Sequence, residues 1–377
     1  MRTVTVLGST GSIGTQALDV ARRRGWRVAA LAAGRNAELL LEQAHAFRPA
    51  TVACAPEVAD RLRGALPAGT ELVPGDEGTD RVAATACDAV IAAVPGIAGL
   101  RPIRVALREG RRVALATKEA MVAAGPLVRE TARAHGGVLV PIDSEHAGVD
   151  QLLLGEDRDT VEAIVLTASG GPFRKGPADL ATVRPEQALA HPTWSMGRKV
   201  TIDSATLFNK GLEVLEAHQL FDLPLDRIEV VVHPQSLVHA LIRFRDGNLK
   251  AHVGPHDMRL PILWGVEDAG RPSLGLEPLP LHGSWTFEPP DRARFPALDL
   301  AYRAGRDGGT APTVLNAADE VAVDAFLEGR LPFPGIADAI ADALDRIPPR
   351  PLSWDAIEAA DAEARRLVAE RTARSVP

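Results

Sequence analysis

Two acids stand two residues apart in Val140-Pro141-Ile142-Asp143-Ser144-Glu145-His146. The residues before them read as a strand, and side chains at i and i+2 of a strand point to one side. Carboxylates converging there repel each other unless a cation lies between them. Oxygen donors without cysteine suit Mg2+ or Mn2+ rather than structural zinc. A D-x-E pair is common, so its spacing alone carries little. Glu213, in Asn209-Lys210-Gly211-Leu212-Glu213, is a candidate third ligand, although sequence distance does not bring it to the pair. His146 is a candidate ligand, acid–base group or supporting donor, and an ordinary buried histidine is the simpler reading.

A second motif, Gly8-Ser9-Thr10-Gly11-Ser12-Ile13-Gly14, lies between an expected strand, Thr3–Leu7, and an expected helix, Ile13–Arg24. Glycines let the backbone turn tightly and approach a pyrophosphate, while a helix N-terminus offers free N–H groups and a positive dipole end. The spacing is G-x-x-G-x-x-G rather than G-x-G-x-x-G, so the weight comes from the placement between strand and helix. The second strand ends at Ala33-Gly34-Arg35-Asn36. A site selective for NAD has an acid there to hold the ribose 2′-hydroxyl. Arg35 would instead attract a 2′-phosphate, which favours NADP; the plainer alternative is an arginine opening a solvated helix.

Three further segments are rich in small polar donors: Thr167-Ala168-Ser169-Gly170-Gly171-Pro172, His191-Pro192-Thr193-Trp194-Ser195-Met196-Gly197-Arg198-Lys199, and Asp203-Ser204-Ala205-Thr206-Leu207-Phe208-Asn209-Lys210. Hydroxyls, an amide, an ammonium and glycine-freed backbone are what a phosphate needs. Each alone also reads as a polar loop. Trp194 and Met196 are out of place in such a loop. They suit a lid that excludes water, or an anchor of the loop into the core.

The elements that must position these groups follow from the alternation of the chain. Strands are expected at Thr3–Leu7, Arg27–Ala32, Thr51–Ala55, Ala89–Val94, Arg112–Ala116 and Val138–Ile142, with helical stretches such as Ile13–Arg24 and Ala37–Phe47 between them. That rhythm predicts a Rossmann-like, doubly wound parallel sheet over 1–143. Over 144–270 it changes to α+β, with strands Val161–Thr167, Ile228–His233, Val238–Phe244 and Leu249–Val253. The turn Asp246-Gly247-Asn248 marks a hairpin between the last two. Residues 271–296, rich in Pro and Gly, read as a connecting segment. Residues 297–377 read as a helical domain, with helices at Ile336–Ile347 and Trp354–Thr372 and Ser353 as an N-cap.

Bulk properties narrow the class. The 377 residues are 46% hydrophobic, enough for a real core in two or three domains, and only 4% aromatic. A net charge of −7 with no polybasic block argues against nucleic-acid and anionic-membrane partners. No apolar run approaches the ~18 residues of a membrane helix, and no leader segment is visible. Two cysteines, Cys54 and Cys87, exclude a disulfide scaffold and fit a reducing cytoplasm.

Taken together, these segments resemble the 1-deoxy-D-xylulose 5-phosphate reductoisomerase family. The matching pieces are GSTGSIG at 8–14, TKEA at 117–120, DSEH at 143–146, TASGGPF at 167–173 and HPTWSMGRKVTIDSATLFNKGLE at 191–213, followed by HPQSLVHA at 233–240, DMRLPI at 257–262 and NAADE at 316–320. They run in family order along nearly the whole chain, and the block at 191–213 is the most specific.

The resemblance implies an NADPH-binding domain, a catalytic domain at 144–270 with a mobile lid at 191–199, and a C-terminal helical domain, in a homodimer. It implies that Thr10, Gly11, Ser12, Ile13, Gly34, Arg35 and Asn36 hold NADPH, with Glu119, Gly197 and the region of Thr117 contributing. Asp143, Glu145 and Glu213 match metal ligands for Mn2+ or Mg2+. Lys118, Ser144, Glu145, Ser169, His191, Ser204, Asn209 and Lys210 match substrate-binding positions, Trp194 and Met196 lie in the closing loop, and Lys118, Glu145, His146 and His191 are the candidates for catalysis. The implied reaction is retro-aldol cleavage of a sugar phosphate and rejoining to a branched aldehyde, with the metal as Lewis acid. NADPH then reduces the aldehyde to 2-C-methyl-D-erythritol 4-phosphate.

The sequence departs from the family pattern at several points. Thr117 stands where an asparagine is usual, Thr193 and Asp319 likewise replace asparagines, and Ala147-Gly148-Val149-Asp150 replaces a more apolar run. These changes motivate a second reading, a paralogue acting on another hydroxyketone phosphate or phosphonate. A non-catalytic NADPH sensor would be expected to have lost the acids or Lys210, and neither is lost.

Overall fold

The computed structural model describes residues 1–194, 196–267 and 270–373. The chain forms two compact units. The first takes Met1–Ala120, Val128–Asp150 and Asp257–Leu279; the second takes Met121–Leu127, Gln151–His256 and the residues from Pro280 on.

The first unit is built on a seven-stranded sheet: β1 (Thr3–Leu7), β2 (Arg27–Ala32), β3 (Thr51–Cys54), β4 (Glu71–Pro74), β5 (Ala89–Ala92), β6 (Arg112–Leu115) and β7 (Val138–Pro141). The order is β4-β3-β2-β1-β5-β6-β7, and every pair is parallel. This is the doubly wound arrangement expected, with the chain reversing direction across the sheet at β1. Its central strands are short apolar runs because helices cover both faces. One strand, β4, goes beyond the six expected. It is an edge strand of four residues, three of them only partly buried and the last a proline, so neither apolar run nor alternation announces it.

The segment 257–279 packs on this sheet. Arg259 donates to Asp257 at 2.6 Å and to Asp19 of the helix Ser12–Arg24 at 2.9 Å. Arg23 donates to the Leu274 carbonyl at 3.0 Å, and Trp26 Nε1 to Glu267 at 3.1 Å. The helix Arg259–Val266 follows, and its Gly265 carbonyl accepts from Arg112 at 2.8 Å.

The second unit holds a four-stranded sheet of β8 (Val161–Ala168), β9 (Ile228–Val232), β10 (Val238–Phe244) and β11 (Leu249–Val253), in the order β11-β10-β8-β9. β8 and β9 are parallel, and the remaining pairs are antiparallel. The expected hairpin joins β10 to β11, with Asp246 Oδ1 accepting from Asn248 N at 2.9 Å. Helices Ala297–Asp307, Ala311–Leu327, Gly335–Arg346 and Trp354–Ala373 complete the unit. Ser353 Oγ accepts from Ala356 N at 3.1 Å, as an N-cap does. Among the described residues no helix is long and apolar enough to cross a membrane.

A methyl group at Gly265 would fall 2.3 Å from Ile142 Cγ2 and 3.0 Å from Ala114 Cβ. Gly265→Ala is therefore expected to destabilise the first unit by about 1–3 kcal/mol through overpacking. That outweighs the roughly 1 kcal/mol alanine gains over glycine in a helix interior. A urea titration should show a lower midpoint; a midpoint at or above that of the parent would refute the packing argument.

Candidate active site

In the first unit the glycine turn lies at the carboxyl end of β1. Gly8 adopts φ +81, and a Cβ there would lie 2.3 Å from the Ala93 carbonyl oxygen. A Cβ on Gly14 would come within 2.2 Å of the Gly8 carbonyl oxygen. These two glycines are required by the turn itself. Gly11 is different: its Cβ would meet only the Gly8 oxygen, at 3.3 Å. Gly11 and Ser12 are exposed at the start of the helix Ser12–Arg24, which carries no side-chain cap and no acid in its first turn. The open helix end is a cradle for an anionic group, and the turn is secured from behind by Gln43, which donates to the Ser9 carbonyl at 2.9 Å.

Arg35 follows β2 and is exposed, 3.4 Å from Glu57. Asn36 caps the helix Ala37–Phe47, its Oδ1 accepting from Leu39 N at 3.2 Å. Thr117 is buried, and its hydroxyl approaches two backbone carbonyls, Val94 at 2.7 Å and Ala92 at 3.2 Å. It ties the end of β6 to the end of β5, a structural use for this departure from the family pattern. Glu119 is buried in the first turn of the helix that Thr117 precedes.

The acids at 143 and 145 are not consecutive strand positions. Asp143 follows β7, its carbonyl accepting from Ala147 N at 2.8 Å, and Glu145 is in the first turn of the helix Ser144–Leu152. They meet because the chain turns from strand to helix between them, not because of a two-residue strand period. Ser144 Oγ donates to Glu145 at 2.5 Å. Lys118, at the start of the helix after β6, places its ammonium 2.6 Å from Asp143. Burial works against the Asp143 carboxylate, but the charge of Lys118, with His146 and a hydrogen bond involving Glu145, holds it well below the usual carboxylate range. Two carboxyl groups in such contact need a shared proton or a cation, and the all-oxygen donor set fits a hard divalent ion. His146 is fully buried, 3.7 Å from Asp143. Asp150 accepts from Trp264 Nε1 at 2.7 Å, and Ala147 packs with Val140 and Trp264. Residues 147 and 150 thus serve the packing of the first unit.

In the second unit His191 Nδ1 accepts from the backbone N–H of Thr193 and Trp194, at 3.1 and 2.9 Å. That assigns the proton to Nε2, which donates to Ser169 Oγ at 3.0 Å. Burial lowers the pKa of His191, in keeping with a neutral ring. Ser169 Oγ also accepts from Gly171 N at 3.3 Å. Its hydroxyl hydrogen is thereby directed away from both donors. Gly171 has φ +65, and a Cβ there would lie 2.9 Å from the Ser204 carbonyl. The serine-glycine loop therefore sits directly on the end of the helix Arg198–Ala205.

Lys210 and Glu213 are 4% and 2% exposed, so their charges are set within the protein. Both carboxylate oxygens of Glu213 accept from the same helix, one from Lys210 Nζ and the other from Asn209 Nδ2. Gly197 is the N-cap of the helix Arg198–Ala205, without a side-chain cap. The Trp194 ring meets His256 edge-on at 5.2 Å and His239 at 6.2 Å. Ser195 lies outside the described residues. Sequence reasoning gave His239 and His256 no role; the only available signal was their position in and near HPQSLVHA.

A glycine turn opening a helix at the carboxyl end of a parallel sheet, with an arginine after the next strand, defines a dinucleotide-binding class of enzyme. Comparison with known proteins narrows this. The sequence profile of 1-deoxy-D-xylulose 5-phosphate reductoisomerase matches residues 4–125, and profiles of its C-terminal domains match 139–221 and 253–367. The chain is 53% identical over 365 residues to the 1-deoxy-D-xylulose 5-phosphate reductoisomerase of Thermus thermophilus, covering 97% of this chain and 98% of that one. It is 53% identical to the reductoisomerase of Anaeromyxobacter sp. strain K, over 92% of this chain and 90% of that protein. Among solved structures, the Zymomonas mobilis reductoisomerase in complex with NADPH superposes with a TM-score of 0.91 at 41% identity, covering 98% and 99% of the two chains. A DOX-P reductoisomerase in complex with NADPH, fosmidomycin and magnesium gives 0.93 at 35% identity, covering 99% and 98%. This chain belongs to the 1-deoxy-D-xylulose 5-phosphate reductoisomerase family.

Burial, and then the neighbouring His252 and His256, push His239 down to about 4. A histidine depressed in the folded state costs stability as pH falls, because the unfolded chain takes up a proton near its ordinary pKa and the folded one does not. Stability should thus decline from about pH 6.5 toward pH 4. His239→Gln should flatten that decline in denaturation midpoints, and NMR should find the His239 ring neutral at pH 6. A His239 titration midpoint above 6 would contradict the burial argument.

Proposed function

We propose that this chain converts 1-deoxy-D-xylulose 5-phosphate to 2-C-methyl-D-erythritol 4-phosphate with NADPH and a divalent metal, a step toward isoprenoid precursors. Family membership over nearly the full length supports this. The observation that carries it is the fold of the most specific motif, which buries Lys210 and Glu213 one turn apart with Asn209 beside them.

In this reading residues 1–143 bind NADPH and 144–270 carry the substrate and metal groups, with 191–199 as lid. Residues 271–296 connect, and 297–377 form the helical domain. Thr10, Gly11, Ser12 and Ile13 receive the pyrophosphate at the open helix end. Gly34, Arg35 and Asn36 take the adenosine side. The Arg35–Glu57 contact is an exposed pair of little strength, so a 2′-phosphate displaces it readily. Thr117, Glu119 and Gly197 border the nicotinamide.

Asp143, Glu145 and Glu213 would hold Mn2+ or Mg2+. Bound there, the ion would supply Lewis acidity, and NADPH would supply the hydride. Lys118 keeps a positive charge next to Asp143, suited to an oxygen that gains negative charge during the reaction. Ser144 and Glu145 face the sugar. The neutral His191 fixes the Ser169 hydroxyl, and Ser169, Ser204, Asn209 and Lys210 grip the phosphate, whose binding energy orients the reacting carbons. Trp194 and Met196 close over the substrate and exclude water. His146 supports Asp143 from behind. The protein works as a homodimer in the cytoplasm, where its two free thiols stay reduced. A paralogous substrate is not favoured, because Ala147, Asp150 and Thr117 are taken up by packing and backbone contacts in the first unit.

The test is substrate-dependent loss of NADPH absorbance with Mn2+ or Mg2+, abolished by chelator and restored by metal. Asp143→Asn and Glu145→Gln should each lower turnover on the order of 10²-fold or more while leaving NADPH affinity unchanged. Absence of any substrate-dependent oxidation with 1-deoxy-D-xylulose 5-phosphate would refute the assignment.

A further inference from the structure

One charge cluster in the second unit has no assigned role in the reading above, although its Lys199 is the last residue of the lid segment. Lys199, in the first turn of the helix Arg198–Ala205, donates to Asp203 at 2.6 Å and to Asp319 at 2.7 Å. Asp203 is 1% exposed and Asp319 is fully buried on the helix Ala311–Leu327. The same ammonium lies 5.5 Å from the centre of the Phe208 ring, and Phe208 is the residue immediately before Asn209. One cation thus fastens three points: its own helix, the helix Ala311–Leu327, and the start of the helix that carries Asn209 and Lys210.

Between Asp203 and Asn209 the chain has little freedom. Thr206 Oγ1 lies within hydrogen-bonding distance of the carbonyls of Ile202 and Asp203, at 3.2 and 3.1 Å, and accepts from Phe208 N at 3.3 Å. Leu207 takes the left-handed conformation, φ +61, which a branched side chain adopts only when its surroundings impose it. Ser204 lies within this turn, and Gly171 rests on its carbonyl.

We propose that Asp319 is a positioning residue for the phosphate-binding turn, holding Lys199 so that Ser204, Asn209 and Lys210 are presented in one fixed arrangement. The inference rests on the reading that these three residues bind the substrate phosphate.

The charge balance defines which replacement will work. Two ionised acids around one ammonium would leave a net negative charge in a buried place. Burial, and then the charge of Asp203, push the Asp319 carboxyl well above the usual range, so it keeps its proton. A neutral carboxyl accepts from Lys199 and can offer its proton to the neighbouring Asp203 carboxylate. Asparagine reproduces both, since its amide oxygen accepts and its NH2 donates. Leucine reproduces neither.

The experiment compares Asp319→Asn, Asp319→Leu, Lys199→Met, the double variant Asp319→Leu/Lys199→Met, and Lys210→Gln in the intact protein. KM for 1-deoxy-D-xylulose 5-phosphate, kcat and NADPH affinity are measured for each. Asp319→Leu should raise KM about tenfold with kcat and NADPH affinity nearly unchanged. Lys199→Met should do the same, the double variant should be no worse than either single one, and Asp319→Asn should restore the parent KM. Lys199, at the edge of the cluster with 25% of its side chain exposed, supplies the test if Asp319→Leu does not fold. A parental KM in Asp319→Leu or Lys199→Met, additive effects in the double variant, or an Asn variant as impaired as Leu would overturn the inference. So would a uniform loss of kcat, KM and NADPH binding, the mark of a residue that only stabilises the fold. Lys210→Gln without a KM increase would overturn the phosphate reading itself, and the inference with it.

Discussion

The ion pair between Lys118 and Asp143, 2.6 Å long with each side chain nearly out of water, makes the acid cluster of the first unit possible. Moving a carboxylate out of water costs several kcal/mol even after the protein relaxes. Asp143, Glu145 and His146 all lie within one turn at the start of a helix. Without a cation beside them, the acids would have to take up protons and lose their use as oxygen donors for a metal. The strand register provides the pair. β6 and β7 are neighbours, and the groups that follow their carboxyl ends, Lys118 and Asp143, are brought together by the parallel ladder that aligns Leu115 with Pro141. This ion pair is thus set by backbone hydrogen bonds between two apolar strands.

The second unit follows the same rule with other parts. Lys210 matches Glu213 within one helix, and Lys199 matches Asp203 and Asp319 across two. The histidines show the converse. His191 and His239 stay neutral because burial opposes their charge, and a neutral His191 with its proton on Nε2 gives the Ser169 oxygen a fixed donor. Lys199 and Lys210 are thus each held in place by acids.

Much of this was legible in the sequence, for identifiable reasons. Strands β1, β2, β5, β6 and β7 are apolar runs bounded by glycine and polar turns, and the hairpin at Asp246–Asn248 follows from turn chemistry. β4 was not legible because a four-residue edge strand, one residue exposed and three half-buried, carries no pattern. The acids at 143 and 145 were found, but with the wrong local geometry: a two-residue strand period was expected, and a strand-to-helix turn is what places them. The Asn36 cap and the Thr117 hydroxyl contacts belong to backbone geometry, which residue types alone do not reveal. The Lys199–Asp203 spacing of four is visible on a helix. Its third member, Asp319, is 116 residues beyond Asp203, and only packing joins them.

A chain of net charge −7 is an unlikely host for two phosphorylated ligands if charge is judged in bulk. The structure resolves this by scale. At physiological ionic strength a surface charge is screened beyond about 8 Å, so scattered surface acids have little effect on a phosphate inside a fold. The local inventory matters instead: an open helix end with no acid in its first turn, an exposed arginine after β2, and a buried lysine that shares Glu213 with the Asn209 amide. A net negative charge is compatible with anion binding because what acts on a small anion is the placement of the nearest groups, not the total. The same separation explains why net charge argues against a polyanion yet gives no hint of a small phosphate: a polyanion lying on the surface feels the average charge, and a small anion taken into a site feels only its walls.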